Sequence, residues 1–128
     1  MKKILFLFML CVSLITYAEE ATTSCMIGGS NTDYVSATAY TTKSSGYVTI
    51  ANSANKPLVS LYITVEAEAC TYYNGELQWH PITLLRKNVY FSPAVSPNQT
   101  TRVECDKVES YNGMLRNITV SIGNPSCK

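Results

Sequence analysis

Few residues in this chain have the type and spacing for covalent chemistry. His80 is the single histidine and the one ordinary general-base candidate, and it stands between Trp79 and Pro81 with no partner signature beside it. A Ser-His-Asp set would have to draw on Asp33 or Asp106, and there is no Gly-x-Ser-x-Gly turn to present a serine. Glu66 and Glu68 fall on one face of a strand pattern, about 7 Å apart by strand rise, a spacing that paired-carboxylate chemistry can use. Nothing in the sequence drives their protonation states apart, so a solvated strand face accounts for them equally well. Gly28-Gly29 follows no strand and opens no helix, which excludes a phosphate loop. The expectation is a protein that is not an enzyme and carries no cofactor and no metal.

The cysteines point to compartment rather than catalysis. Met1-Lys2-Lys3, the apolar run Ile4 to Ile15 and the small-residue site Thr16-Tyr17-Ala18 make residues 1–18 a signal peptide, with the mature chain starting at Glu19. The apolar run is shorter than the roughly 20 residues that span a bilayer, so no membrane insertion is expected. Leu10 before Cys11 argues against a lipoprotein signal, which needs a small residue there. Cys25, Cys70, Cys105 and Cys127 remain, an even number in a small exported chain, and are read as two disulfides. A zinc site is disfavoured because no two of them are close in sequence. Three pairings are open; an up-and-down strand order favours Cys70 with Cys127 and Cys25 with Cys105.

Without Lys2 and Lys3 the mature chain has eight basic and nine acidic residues, and no basic stripe that would attract nucleic acid or anionic lipid. Asn98-Gln99-Thr100 and Asn117-Ile118-Thr119 match the glycosylation acceptor pattern but carry no weight behind a bacterial-type signal. Residues 19–33 read as an irregular N-terminal arm and residues 34–128 as one domain.

The elements that must position these residues are strands. Tyr34–Thr42 alternates with Val35, Ala37 and Ala39 on one face, and Tyr47–Asn52 with Val48 and Ile50. Asn52 to Pro57 breaks the ladder. From Leu58 onward, Val59, Leu61, Ile63, Val65, Ala67 and Ala69 share a face, and Asn74-Gly75 then supplies a two-residue hairpin turn. Folding about that turn pairs Tyr73 with Glu76, Tyr72 with Leu77, Cys70 with Trp79, Ala67 with Ile82 and Val65 with Leu84. Arg86-Lys87-Asn88 reads as a polar break before a short strand at Val89-Tyr90-Phe91. Tyr111-Asn112-Gly113 signals a second hairpin that pairs Cys105 with Val120 and Val103 with Ile122, with Ile118 also facing the core. No sustained helical period occurs. The fold class expected is all-β: an antiparallel β-sandwich of six to seven strands, with a closed barrel as the other architecture.

Tyr62, Tyr72, Tyr73, Leu77 and Trp79 are the candidate protein-binding residues, since tyrosine and tryptophan bury much area with few rotatable bonds. The same residues could instead staple the hairpin or lie under the N-terminal arm. The runs Tyr47-Val48-Thr49-Ile50-Ala51-Asn52, Lys56-Pro57-Leu58, Leu61-Tyr62-Ile63-Thr64-Val65 and Ser96-Pro97-Asn98-Gln99-Thr100-Thr101-Arg102-Val103 resemble exported bacterial immunoglobulin-like and fibronectin type III-like modules. With the size and the export signal, they are also similar to the interleukin-receptor mimics of uropathogenic enterobacteria. That resemblance implies a secreted, virulence-associated protein that binds a host cell-surface receptor. The alternative is a periplasmic or surface-assembly accessory subunit. An exposed strand edge would also admit a homodimer.

Overall fold

A computed structural model describes residues 20–26 and 33–128, and the expected signal peptide and Gly28-Gly29 lie outside them. Seven strands form two antiparallel sheets: β1 (Glu20–Met26), β2 (Tyr34–Thr42), β3 (Ser45–Asn52), β4 (Leu58–Tyr73), β5 (Glu76–Val95), β6 (Thr100–Glu104) and β7 (Leu115–Cys127). One sheet has the order β1-β2-β3-β6 and the other β5-β4-β7. The described part of the chain is thus an all-β, two-sheet structure of the sandwich kind. The alternation in the sequence is the cause, because every second residue of β2, β3 and β4 must leave water together. Val35, Ala37, Ala39, Val48, Ile50, Leu61, Ile63, Val65 and Ala69 are all fully buried in one core.

Five features depart from the sequence reading. The arm is not irregular over its described part: Glu20–Met26 pairs with Tyr34–Tyr40, where Thr22 and Thr23 suit a pleated edge. Arg86-Lys87-Asn88 is no break, for β5 continues through it with Lys87 opposite Ile63. As an edge strand, β5 also tolerates Pro81 and Pro93. Val65 faces Leu85 rather than Leu84, because a register shift between Val65 and Glu66 leaves Leu84 as an extra residue. Its carbonyl accepts the Asp106 amide at 2.9 Å, which stitches β5 to the chain that follows β6. A second shift, between Leu58 and Ser60, buries Leu58 and Ser60 and leaves Val59 half-buried.

The fifth departure changes topology. Tyr111–Gly113 is a 3-10 turn, not a hairpin. Val103 pairs with Val48 in one sheet, whereas Val120 and Ile122 pair with Val65 and Ile63 in the other. Val103, Cys105, Ile118, Val120 and Ile122 still pack on the core, because the segment crosses between sheets without changing which residues face inward.

The two ends of the sandwich are tied differently. At one, buried Asn52 donates from Nδ2 to Lys56 O and Val95 O, both at 2.8 Å, while its Oδ1 accepts Ala54 N at 2.9 Å. Its backbone amide reaches Gln99 O and its carbonyl accepts Asn98 N. At the other, Ser44 at the β2–β3 turn donates to Gly113 O and accepts Val108 N. Gly113 has φ +69°, a conformation that favours glycine, and a Cβ there would also run into the Lys43 side chain.

Candidate protein-binding surface

The β4–β5 hairpin outruns its sheet. Pairing of β4 with β7 ends at Ala69 opposite Leu115, whereas pairing with β5 continues through Cys70–Trp79 and Tyr72–Leu77 to Tyr73–Glu76. The register read from the sequence holds for all four pairs from Ala67–Ile82 to the tip. Asn74 and Gly75 have φ of 53° and 80°, the positive values that a two-residue turn of this type needs.

Beyond Ala69 the place of β7 is taken by the crossing segment. Ser110 Oγ accepts the Cys70 amide at 2.9 Å and donates to the Met114 carbonyl. Cys70 is fully buried, with its Sγ against Ser110 Oγ and Tyr111 O. The Tyr72 ring stacks on Tyr111 with centroids 5.0 Å apart, and the Arg116 guanidinium lies 4.1 Å over the Trp79 ring. A shallow hollow at this base is lined by Ser44, Cys70, Tyr72, Val108, Ser110 and Tyr111, among others.

Of the five candidate binding residues, Tyr72, Leu77 and Trp79 gather here on one face of the ribbon, with Tyr73 at the tip on the other face. Tyr72, Tyr73 and Leu77 are 55%, 63% and 42% exposed, and Trp79 is half-buried under Arg116. Tyr62 does not join them: it lies opposite Asn88 and Gly123, ten residues back along β4, roughly 33 Å by strand rise. Tyr111 and Arg116, which set the rings of Tyr72 and Trp79, are not readable as site residues from the sequence. Their only signal is the positive-φ pair Asn112-Gly113 between them, which marks a turn and not its destination.

The groups considered for chemistry are placed as follows. Glu66 and Glu68 engage separate arginines on opposite neighbours of β4, Arg86 at 2.8 Å and Arg116 at 2.7 Å. Hydrogen bonds from Arg116 and then Asn117 hold the Glu68 carboxyl below its usual range, so it stays ionised and is no proton donor near neutrality. His80 is half-buried opposite Ala69. Burial, reinforced by Asp106 and Glu104, pushes the Cys105 thiol up to about 11, and burial with Asp33 raises Cys127, so neither is an activated thiolate. Among the described residues no three His, Cys, Asp or Glu side chains group to hold a metal ion, and no helix is long and apolar enough to cross a membrane.

The two expected disulfides are not found: Cys70, Cys105 and Cys127 are free cysteines, and neither pairing favoured by the sequence fits the register. Cys127 lies opposite Leu58, twelve residues along β4 from Cys70, roughly 40 Å by strand rise, against the 7 Å limit between Cα atoms. Cys25 pairs with Val35 and so stands level with Asn52, while Cys105 bonds to Gly46, six residues away along β3. That is roughly 20 Å. The preference failed because the chain changes sheets three times instead of running up and down within them.

A second surface was not foreseen. On the side where β5 and β6 form the free edges of their sheets, a groove of about 440 Å³ runs between them, lined by Val89, Tyr90, Phe91, Thr101 and Val103 among others. Tyr90 is 73% exposed.

Fold and surface together define an all-β two-sheet protein with an aromatic hairpin tip and an open lateral groove. No family model, curated protein or solved structure matches the chain.

Proposed function

We propose that this is an exported bacterial protein-binding module that engages a protein partner, of the host-receptor class, through the β4–β5 hairpin tip. The observation that carries the reading is the overhang: Tyr72, Tyr73 and Leu77 project beyond the three-stranded part of the sheet and remain exposed. Stacking on Tyr111 limits the rotamers of Tyr72 before any partner arrives, which lowers the entropy cost of binding. Large, pre-ordered aromatics on an exposed ribbon are the usual anchors of protein recognition.

The immunoglobulin-type reading of the fold belongs to this proposal, and strand neighbours support it. In constant-type immunoglobulin sandwiches the sheets contain strands 1-2-5-4 and 3-6-7. Here β2, β3, β4 and β5 take places four to seven, and β6 and β7 take places two and three. The neighbour order is then that of the immunoglobulin sandwich entered at its fourth strand, with β1 added outside β2.

The groove favours the second reading, a periplasmic or surface-assembly subunit that accepts an extended segment, or a second copy, at the free edges of β5 and β6. One binding experiment separates the two. The chain is titrated onto host-cell surfaces and, separately, assayed for self-association, with Tyr73→Ala/Leu77→Ala and Phe91→Lys as variants. Loss of surface binding only in the first variant is the expected result. Unchanged surface binding in that variant overturns the tip reading, and loss of self-association or envelope retention only in Phe91→Lys supports the groove.

A further inference from the structure

We propose that Asn74, at the tip of the β4–β5 hairpin, is a site of spontaneous deamidation, and that the fold protects Asn112, which has the same neighbours in sequence. Tyr-Asn-Gly occurs twice in the chain, as Tyr73-Asn74-Gly75 and Tyr111-Asn112-Gly113. The glycine matters because the reaction begins when its backbone nitrogen attacks the asparagine side-chain amide, and a glycine brings no Cβ to obstruct the approach. Both asparagines are exposed, and both have positive φ, 53° and 55°. Local sequence, exposure and φ therefore do not separate them. The attacking nitrogen does.

At Asn112 that nitrogen is held. The Gly113 amide donates to Ser110 O at 2.9 Å, its carbonyl accepts Ser44 N at 3.0 Å, and Met114 N donates to Tyr111 O at 3.1 Å. Gly113 is buried, with the Lys43 side chain in the space a Cβ would take. Turning its nitrogen toward Asn112 would break these bonds and open the 3-10 turn against the β2–β3 turn. At Asn74 neither the side chain nor the Gly75 amide has a hydrogen-bond partner among the described residues. Gly75 is exposed, and a Cβ there would find only Tyr72 Oη, at 4.0 Å. Pairing with β7 has ended at Ala69, so the last pairs of the ribbon, Tyr72–Leu77 and Tyr73–Glu76, have no third strand beside them. Ribbon ends of this kind open at little cost in free energy.

The reaction needs no co-reactant but water. The Gly75 nitrogen bonds to Asn74 Cγ, the Cγ–Nδ2 bond breaks, and ammonia leaves with the proton that the Gly75 amide gives up, closing a cyclic imide. Water then adds to either imide carbonyl. Attack at Cγ gives aspartate, whereas attack at the main-chain carbonyl routes the chain through Cγ and gives isoaspartate, with one more carbon in the backbone. Aspartate tolerates positive φ and keeps the turn, adding a negative charge near Glu76. Isoaspartate lengthens a turn whose two-residue length sets the register, so the Tyr73–Glu76 and Tyr72–Leu77 pairs are lost. What these products do to a partner rests on the tip reading of function; the modification itself does not.

In the test the full chain is kept folded at mildly alkaline pH beside a parallel sample in urea, and both are digested and mapped by mass spectrometry with chromatographic separation of aspartate from isoaspartate. In the folded chain Asn74 is expected to convert at least about tenfold faster than Asn112, the ratio that an opening cost of about 1.4 kcal/mol at Gly113 would set. In urea the two are expected to convert at similar rates. Asn74 that stays intact in the folded chain while it converts in urea overturns the proposal. Asn112 keeping pace with Asn74 in the folded chain, or a preference for Asn74 that persists in urea, overturns the protection by the fold. Amide exchange at Tyr72 and Leu77 is expected to speed up in the isoaspartate fraction, and unchanged exchange there overturns the loss of register. Conversion at Asn74 that leaves host-cell binding unchanged supports the site and tells against the tip reading, so the two fail separately.

Discussion

The two lateral sides of the sandwich are built on opposite principles. On one, β1 and β2 pack against β7, so the two sheets close on each other. On the other, β5 and β6 are linked in sequence by the Ser96–Gln99 turn, yet they part into a groove and leave Phe91 and Val103 half-buried. The closed side joins strands that are farthest apart in the chain, and the open side separates strands that are adjacent. Closure therefore follows from which apolar faces meet and not from chain proximity. An open side next to a closed one leaves edge amides and carbonyls of β5 and β6 exposed without loosening the core.

The sharpest way to break this contrast, and the largest expected effect, is at the buried knot around Asn52, which ties β3 to the end of β5. Asn52→Ala removes the donor to Lys56 O and Val95 O and the acceptor of Ala54 N, all in a buried site. Unmet carbonyls there are expected to cost about 3 kcal/mol. Proteolysis within the Ser96–Gln99 turn, which Asn52 also holds through its backbone, should rise in parallel. On the open side, Phe91→Ala is expected to cost only about 1–2 kcal/mol, because a half-buried ring beside a groove gives up less burial than a core residue and leaves no closed cavity. Thermal unfolding that showed a loss as large as that of Asn52→Ala would mean the groove is closed in solution.

What the sequence disclosed follows the same division. The β4–β5 hairpin was legible to the residue from its tip back to Ala67 opposite Ile82, since Asn74-Gly75 fixes both turn and register there, and the alternation of β2, β3 and β4 named most of the core. Asn112-Gly113 has the same chemistry, with φ of 55° and 69°, yet the chain on either side enters different sheets. Turn residues set a local bend, and the packing of distant apolar faces decides whether the strands stay together. Leu84-Leu85 hid its bulge because both residues are apolar and both are buried, so the pattern offered no polar residue to mark the slip. Tyr62 was grouped with Tyr72 for sharing a face, but a face of a sixteen-residue strand is too long to be one site.

The smallest expected effect lies at the base of the hairpin tip and tests whether that tip is electrostatically set. Glu68 accepts from Arg116, which also covers Trp79, and its carboxyl titrates below the ordinary range. A depressed folded-state value means that the unfolded chain binds the proton first as pH falls. The contribution of Glu68 is therefore complete above its unfolded value of about 4.5 and is lost as pH drops through the lower folded value. The carboxylate is solvent-facing, so the effect is slight and weakens with salt. Glu68→Gln is expected to lower the neutral plateau slightly and to converge with the parent at the acid end, so that the acid limb below pH 4.5 is flatter. Tryptophan fluorescence of the same variant reads the local consequence, because Trp79 is the single tryptophan of the chain. If Arg116 is held over the ring by Glu68, the emission shifts in the variant and shifts likewise in the parent on acidification. An unchanged spectrum in both would show that the ring is fixed by β-pairing with Cys70 alone.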